Sequence, residues 1–262
     1  MKLAIRNLED VSDFEKLSLT DFSYSRMDTY KMCPSKYFYT YIQKEPRLFG
    51  EAAVLGNIVH SVLEDNVSAT DVLDFTKLQE AYVNEIATQD PDNKIKPELI
   101  NTGKEILDEF FDQYAETKFD VLHKEYGFKF VLGSYLISGY IDRIDSWGED
   151  GVKIIDYKTG KVDKNDVILK TWQDLTKEIG NDKIIQILAY AFMYQPDCNG
   201  LEMEAGIISF KNLKSGFLPF NLKTEIGLEQ DITPEIMESY LEEIVLLLNT
   251  IFNSELPFEE NK

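Results

Sequence analysis

The residue types best suited to chemistry cluster in residues 139–161, where two strand-like runs flank a polar loop with two glycines. Such a loop is typical of a β-hairpin connection. The first run carries Asp142, and the second ends with Asp156 and Lys158. Because alternate side chains of a strand point to the same face, Asp156 and Lys158 lie together and Tyr157 points the other way. Two carboxylates and an ammonium on one face cost free energy unless a metal ion or a reaction uses them, so the pattern predicts a reactive centre.

The charge balance limits how the protein could bind a charged partner at this centre. The chain has 27 Lys and Arg residues against 47 Asp and Glu residues, a formal net charge of −20. A protein that binds nucleic acid through diffuse attraction to phosphates has the opposite balance. We therefore expect any nucleic-acid binding to be local, through a basic groove, a bound cation or a neighbouring domain.

Composition indicates a folded, globular protein. At 262 residues, with 44% hydrophobic residues, the chain is long enough for one large domain with its own core. No run of about 18 apolar residues could span a membrane, and the acidic start does not resemble an export signal. Cys33 and Cys198 are far apart in sequence, which does not indicate a disulfide framework. A cytoplasmic, reducing location is the expectation.

Hydrophobic periodicity predicts the elements that would position these groups. A weakly patterned, loosely attached lead-in over residues 1–19 precedes two short helices within residues 20–43, joined at Cys33 and Pro34. Further helices are predicted at residues 51–67, 75–88, 97–119, 184–194 and 234–252, three strands within 126–155, and one strand each at 205–210 and 216–220. This order predicts an α/β domain with a mainly antiparallel sheet and a closing helix.

Polar residues outside the hairpin acids are weaker candidates when taken alone. His60 lies on a predicted helix, where a single histidine is more often packed or solvated than a ligand. Gln186 and Tyr190 are one helical turn apart on one helix face, as in a buried polar pair. We expect Arg143 to face away from the carboxylates and pair with an acid, and Asp145 to cap the hairpin turn.

Five motifs occur in an order that is specific when they are taken together. They are residues 23–26 with Cys33-Pro34 and residues 37–39, then residues 56–60 (G-x-x-x-H), 139–143 (G-x-x-D-R), 155–159 (containing D-Y-K-T) and 186–190 (Q-x-x-x-Y). A D-x-K triplet alone arises by chance in many proteins, but the joint match covers about residues 20–220. The chain resembles the PD-(D/E)xK nucleases, in the RecB-like branch that includes AddB nuclease domains and CRISPR-associated exonucleases.

The resemblance implies a fold and an activity. The expected fold is α/β, a restriction-endonuclease-like core with a central mixed β-sheet flanked by helices and a helical N-terminal part. Residues 1–262 would form a single nuclease domain, which a larger helicase-nuclease or repair protein could contain. The expected activity is metal-dependent hydrolysis of DNA phosphodiester bonds, as an exonuclease in recombination or repair. The implied partners are DNA, as single strands or ends, and a helicase subunit or domain.

The resemblance also assigns roles to individual residues. Mg²⁺ or Mn²⁺ would be held by a histidine, two carboxylates and a backbone carbonyl; hard oxygen ligands suit these ions. A lysine would orient or help deprotonate the attacking water, with a glutamine and a tyrosine lining the site. The implied metal ligands are His60, Asp142, Asp156 and the carbonyl of Tyr157, and the implied catalytic residues are Asp142, Asp156, Lys158, Gln186 and Tyr190.

The sequence departs from the branch in its cysteines. Several members hold a [4Fe–4S] cluster with one cysteine near the opening C-P and three near the C-terminus. Cys33 stands at the first position, but the sequence stops about where the trailing cysteines would begin, and Cys198 is misplaced for the role. A cluster is therefore not supported by this chain, which either lacks one or is a fragment that stops before the trailing cysteines.

Two alternatives stay open at the level of sequence. One is a catalytically silent nuclease-fold module that binds DNA or a partner. The other is an unrelated acidic α/β protein in which the hairpin carboxylates are a solvated face. The second alternative predicts that Asp142 and Asp156 diverge in space and that His60 lies far from both.

Overall fold

The computed structural model describes residues 5–16, 19–45, 50–69, 71–92, 94–148, 151–198, 200–253 and 258. Within these ranges, its strands are β1 Ile5–Asn7, β2 Thr20–Phe22, β3 Val121–Leu132, β4 Tyr135–Trp147, β5 Gly151–Lys158, β6 Ile168–Leu169, β7 Glu202–Ser209, β8 Phe217–Pro219, β9 Asn221–Lys223 and β10 Leu228–Glu229. Its α-helices are α1 Asp13–Lys16, α2 Tyr24–Met32, α3 Pro34–Tyr37, α4 Glu51–Asn66, α5 Phe75–Gln89, α6 Pro97–Tyr114, α7 Asp182–Tyr194 and α8 Pro234–Ile251. A π-helical turn, Phe38–Ile42, follows α3.

A mixed sheet forms the centre of the fold. Its order is β1-β3-β4-β5-β7-β8, and β2 pairs with β4 off this path. The β3–β4 and β4–β5 pairs are antiparallel, as the predicted hairpin requires, whereas β5 and β7 run parallel. The parallel pair follows from the connection between the two strands, which includes α7 and returns the chain to the same end of the sheet.

Two apolar cores lie on the two faces of this sheet. Neighbouring residues of β5 divide between them: Ile154 belongs to the core that includes α7 and α8, and Ile155 to the core that includes α4, α5 and α6. This division is the alternation expected of a strand covered on both faces. The central mixed sheet flanked by helices, with a helical part before β3, confirms the predicted fold class.

Local sequence explains where several helices begin. Asp74 accepts a hydrogen bond from the backbone N–H of Lys77 at 3.1 Å and caps α5. Thr233 caps α8 through the N–H of Ile236. α6 and α8 each begin at a proline, where the missing N–H has no intrahelical partner to lose.

Most predicted elements are confirmed, and the differences have physical causes. The N-terminal lead-in was predicted to be loosely attached; this is wrong for β1, which pairs antiparallel with the end of β3. β6, β9 and β10, which form a second small sheet, were not predicted. Each has only two or three residues, too few for an alternating pattern.

Part of the predicted hairpin loop, residues 149–150, lies outside the described residues. Among the described residues, no helix is long and apolar enough to cross a membrane.

Candidate active site

The predicted site lies where the β4–β5 pairing ends. The ladder stops at Arg143 opposite Ile155, one residue short of Asp142 and Asp156. Beyond that point the backbone N–H of Tyr157 donates to Asp142 Oδ2 at 2.7 Å instead of to a strand carbonyl. The Asp142 carboxylate therefore takes the place of a ladder partner for the backbone of β5.

Asp156 and Lys158 lie together on one face of β5, as predicted. Lys158 Nζ is 3.0 Å from Asp156 Oδ1 and 2.7 Å from Oδ2. Asp156 is only 1% exposed. Tyr157 points to the opposite face, where its ring stacks on Phe210 with centroids 5.4 Å apart. The alternation inferred from sequence is therefore confirmed.

The carboxyl groups of Asp142 and Asp156 each disfavour the ionisation of the other. Burial, and then the charge of Asp156, raise the pKa of the Asp142 carboxyl well above its usual value. The N–H of Tyr157 and the ammonium of Lys158 act in the opposite direction but do not offset this. A site in which two buried acids resist ionising together needs a further positive charge if both are to be carboxylates.

His60 reaches the same place from α4. Its Nδ1 is 3.4 Å from Asp142 Oδ2, and its ring packs edge-on against Tyr157 with centroids 6.0 Å apart. Burial lowers the pKa of the imidazole, which favours the neutral form that ligates metals. The proximity of His60 and Asp142 contradicts the alternative in which the hairpin acids are a solvated face.

A chain of hydrogen bonds joins the β5 lysine to α7. Lys158 Nζ donates to Gln186 Oε1 at 2.6 Å, and Gln186 Nε2 donates to Tyr190 Oη at 2.7 Å. Gln186 is 8% and Tyr190 is 7% exposed. Burial, followed by the charge of Asp156, raises the pKa of Tyr190 well above its usual value, so the phenol stays protonated. The two residues form a buried polar pair that also fixes the direction of the ammonium.

The donor chemistry of this site fits a divalent cation. Asp156 Oδ2 is buried and accepts no well-formed hydrogen bond, although it lies 2.7 Å from Lys158 Nζ. A carboxylate oxygen is a hard ligand of the kind that Mg²⁺ and Mn²⁺ bind. Across the described part of the chain, no three His, Cys, Asp or Glu side chains are already arranged as a metal-ligand cluster. The residues therefore match a cation in chemical type, and His60 lies 3.4 Å from Asp142.

A cleft of about 530 Å³ opens in front of these residues. Two acids in it, Glu64 and Glu125, were missed by the sequence analysis. Glu125 has a left-handed backbone, with φ of 44°, at a point where β3 pairing is interrupted opposite Asp142. Burial, and then the charge of Glu64, raise the pKa of Glu125. The sequence does show an acid on β3, the strand paired with β4, and this could have marked Glu125 as a candidate. The irregular backbone at Glu125 could not be read from the sequence.

The other polar residues of the hairpin have structural contacts. Arg143 Nε lies 3.0 Å from Asp145 Oδ1, and Arg143 Nη1 donates to Tyr157 Oη at 2.5 Å. The predicted pairing of Arg143 with an acid is confirmed. The prediction that Asp145 caps the turn is wrong, because Asp145 is that acid and lies within β4. Cys33 Sγ accepts from the N–H of Lys36 at 3.4 Å at the start of α3.

Comparison with known proteins identifies the family. A sequence model of the PD-(D/E)XK nuclease superfamily matches residues 21–262. The chain belongs to this superfamily. Its members are nucleases that typically use divalent metal ions, in agreement with the donor chemistry of the site.

Two individual proteins are similar to the chain. A subunit of the ATP-dependent helicase/deoxyribonuclease of Clostridium perfringens (strain SM101 / Type A) is 28% identical over 182 residues, which cover 55% of this chain and 16% of that protein. The crystal structure of a Eubacterium rectale protein named "Putative exonuclease" has a TM-score of 0.51 and 13% identity, covering 99% of this chain and 90% of the other. At that identity the structural likeness supports the fold alone.

Proposed function

We propose that the chain is a metal-dependent deoxyribonuclease domain that hydrolyses phosphodiester bonds, as an exonuclease acting in recombination or repair. The observation that carries the proposal is the position of Lys158, whose ammonium is held between Asp156 and Gln186 beside Asp142. The similar Clostridium perfringens protein is named as a helicase/deoxyribonuclease subunit, which supports DNA as the substrate and a helicase as the partner. The chain spans 16% of the length of that relative, so these assignments belong to the proposal.

The ligands proposed for Mg²⁺ or Mn²⁺ are His60, Asp142, Asp156 and the carbonyl of Tyr157. The ion, when bound, supplies positive charge to the phosphate and lowers the pKa of a water molecule. Neutral His60 and the two carboxylates suit this task, because burial keeps the imidazole in the form that can ligate a metal ion.

Lys158 is proposed to orient the attacking water and to neutralise charge on the phosphate. An ammonium has three N–H donors, and the contacts to Asp156 and Gln186 engage two of them. The side chain is 28% exposed at the cleft, so the remaining donor is directed to a substrate oxygen or water. Gln186 and Tyr190 hold the ammonium in position from α7, since both are buried and hydrogen-bonded to each other.

The test is cleavage of end-labelled DNA in Mg²⁺ or Mn²⁺ by wild type and by the Asp156→Ala and Lys158→Ala variants. We expect each substitution to lower the rate by about 10³-fold, because each removes a charge needed in the transition state. Lys161→Ala and Asp163→Ala are matched controls, since these residues form a nearby exposed ion pair at 2.9 Å. Undiminished cleavage by both site variants would refute the proposal.

A catalytically silent module is the second candidate, favoured by the absence of a preformed ligand cluster within the described ranges. It predicts DNA binding without cleavage and no heat of Mn²⁺ binding in calorimetry. Binding of Mn²⁺ by wild type that Asp156→Ala abolishes would exclude it.

A further inference from the structure

The cleft in front of the candidate active site follows α4, and its two halves differ in charge. One half is acidic and is lined by Glu64, Glu125 and Asp142. The other half lies beyond Lys158, between the first turns of α4 and the loop of residues 159–163. No charged side chain of the described residues lines this neutral half, which is formed by Ala52, Ala53, Gly56, Asn57, Thr159 and Gly160.

The charged side chains nearest to the neutral half are paired outside it. Glu51 at the start of α4 is directed to Lys96, with 3.6 Å between Oε1 and Nζ. Lys161 and Asp163 pair with each other at 2.9 Å, and none of these four residues lines the cleft. A phosphate in the neutral half therefore meets no carboxylate, whereas the acidic half repels it. The N-terminal end of α4 adds a partial positive charge on the neutral side.

The loop that forms one wall of the neutral half is fixed by β7 and the turn after it. Ser209 is the ladder partner of Lys158 and is fully buried. Its Oγ donates to the carbonyl of Gly160 at 2.9 Å and accepts from the N–H of Val162 at 3.0 Å. Asn212 Nδ2 donates to the carbonyl of Val162 at 2.9 Å. Because these bonds hold the loop in advance, a ligand does not have to order it on binding.

Two glycines keep the passage between α4 and this loop open. Gly160 does not have a left-handed backbone, and a Cβ there would meet nothing within 4 Å. A Cβ at Gly56 would meet Thr159 Oγ1 at 3.5 Å, an ordinary van der Waals distance. Glycine inside a helix is destabilising relative to alanine, so contacts within the protein do not account for Gly56. Close approach of the protein backbone to a ligand accounts for both glycines.

The polar groups of the neutral half suit a phosphate. Asn57 is exposed, and neither its amide nor the Thr159 hydroxyl is hydrogen-bonded to any other described residue. Hydroxyls, side-chain amides and backbone N–H groups are the uncharged groups that contact phosphates in protein–DNA complexes. Gly56 lies one helical turn, about 6 Å along the axis, before His60. A group bound in the neutral half therefore lies next to the proposed metal ligands.

We propose that the neutral half of the cleft binds the phosphate next to the scissile phosphate on the same DNA strand. The proposal rests on the proposed function, which places the scissile phosphate at Asp142, Asp156 and Lys158. With a net charge of −20, the chain gains little from diffuse attraction to phosphates. The strand must then run where carboxylates are absent and hydrogen-bond donors are present. This requirement directs it along α4 towards the N-terminus of the helix, away from Glu64 and Glu125.

The test is equilibrium binding of a short single-stranded oligonucleotide in Ca²⁺, under conditions in which the DNA stays intact. One linkage at a time is replaced by an uncharged methylphosphonate. Gly160→Asp and Asn57→Asp each place a carboxylate beside the proposed phosphate, and we expect each to weaken binding of unmodified DNA about tenfold. Wild type should lose affinity at two neighbouring linkages, the scissile one and the next. The two variants should lose nothing further at that next linkage, because the repulsion disappears with its charge.

The controls add the same charge outside the cleft. Gly180→Asp and Asn84→Asp change exposed residues that do not line it, and a Cβ at Gly180 also meets nothing within 4 Å. Both controls should bind like wild type. Equal losses in the controls, unchanged binding by both cleft variants, or a methylphosphonate scan without the second sensitive linkage would overturn the proposal. Because binding is measured without cleavage, failure of the nuclease proposal would appear separately, as DNA that stays intact in Mg²⁺ although both linkages are sensitive in the scan.

Discussion

Lys158 on β5 and Gln186 on α7 are joined by a hydrogen bond of 2.6 Å from Nζ to Oε1. The bond links the strand that carries Asp156 to the helix that covers it, and Gln186 is held in turn by Tyr190. The acceptor is an amide oxygen, which fixes the direction of the ammonium without neutralising its charge. The covering helix therefore positions the charge that the proposed reaction needs.

The first prediction concerns this bond. Gln186→Ala should lower kcat about tenfold with little change in KM, because the lysine stays charged but loses its direction. The measurement is steady-state cleavage of single-stranded DNA. Gln195→Ala is the matched control, since Gln195 caps the end of the same helix and is exposed. A loss confined to KM would indicate that Gln186 contacts substrate instead of positioning the lysine.

The second prediction uses the two histidines of the chain. His60→Ala should weaken Mn²⁺ binding about 10- to 100-fold, measured by calorimetry, because it removes a neutral imidazole beside Asp142. His123→Ala should leave the affinity unchanged, since His123 packs against the rings of Tyr126 and Tyr194 at 5.0 and 6.0 Å. Equal affinities in wild type and His60→Ala would remove His60 from the proposed ligand set.

The third prediction compares two acids of β4, Asp142 and Asp145. Asp142→Asn should raise the free energy of unfolding in EDTA by about 1 kcal/mol, because it removes repulsion with Asp156 and an amide oxygen can still accept from the N–H of Tyr157. Asp145→Asn should lower it by about 3 kcal/mol, because Arg143 then keeps a buried charge without its partner.

Both variants are measured by denaturant unfolding with and without Mn²⁺. Wild type should gain stability from the ion by mass action, whereas Asp142→Asn should gain little. Destabilisation of Asp142→Asn in EDTA would show that the carboxylate is not under repulsion.

The elements that carry the proposed site residues were predictable because local sequence carries their patterns. The apolar run before Asp156 and the alternation around it predict β5, and helical periodicity predicts α4 and α7. What sequence could not supply is pairing between distant short segments. β1 has three residues and is a strand because β3 offers it an edge, and the left-handed Glu125 depends on the interruption of the β3–β4 ladder.

Asp145 illustrates a second limit of prediction from sequence, the unknown register of a strand. An acid near a glycine-containing loop is typical of a turn cap, and the register of β4 had to be known before Arg143 could be recognised as its partner. The parallel pairing of β5 with β7 has the same origin, since it depends on how the chain crosses through α7 rather than on either strand's own residues.

The last prediction concerns Phe258, which packs among aromatic rings of the opening helices. Its ring centroid lies 5.5 Å from that of Phe38 and 5.9 Å from that of Tyr37, and its carbonyl accepts from Ser35 Oγ at 2.9 Å. Phe258→Ala should lower the free energy of unfolding by about 2 kcal/mol and Tm by about 4–8 °C, because it removes ring contacts and apolar burial together. Phe75→Ala is the control, since that ring is 42% exposed and should cost less. Cleavage at a temperature well below Tm should stay at the wild-type rate, because Phe258 touches none of the site residues named above. A loss of kcat in Phe258→Ala would show that these aromatic contacts also position α2 against the active site.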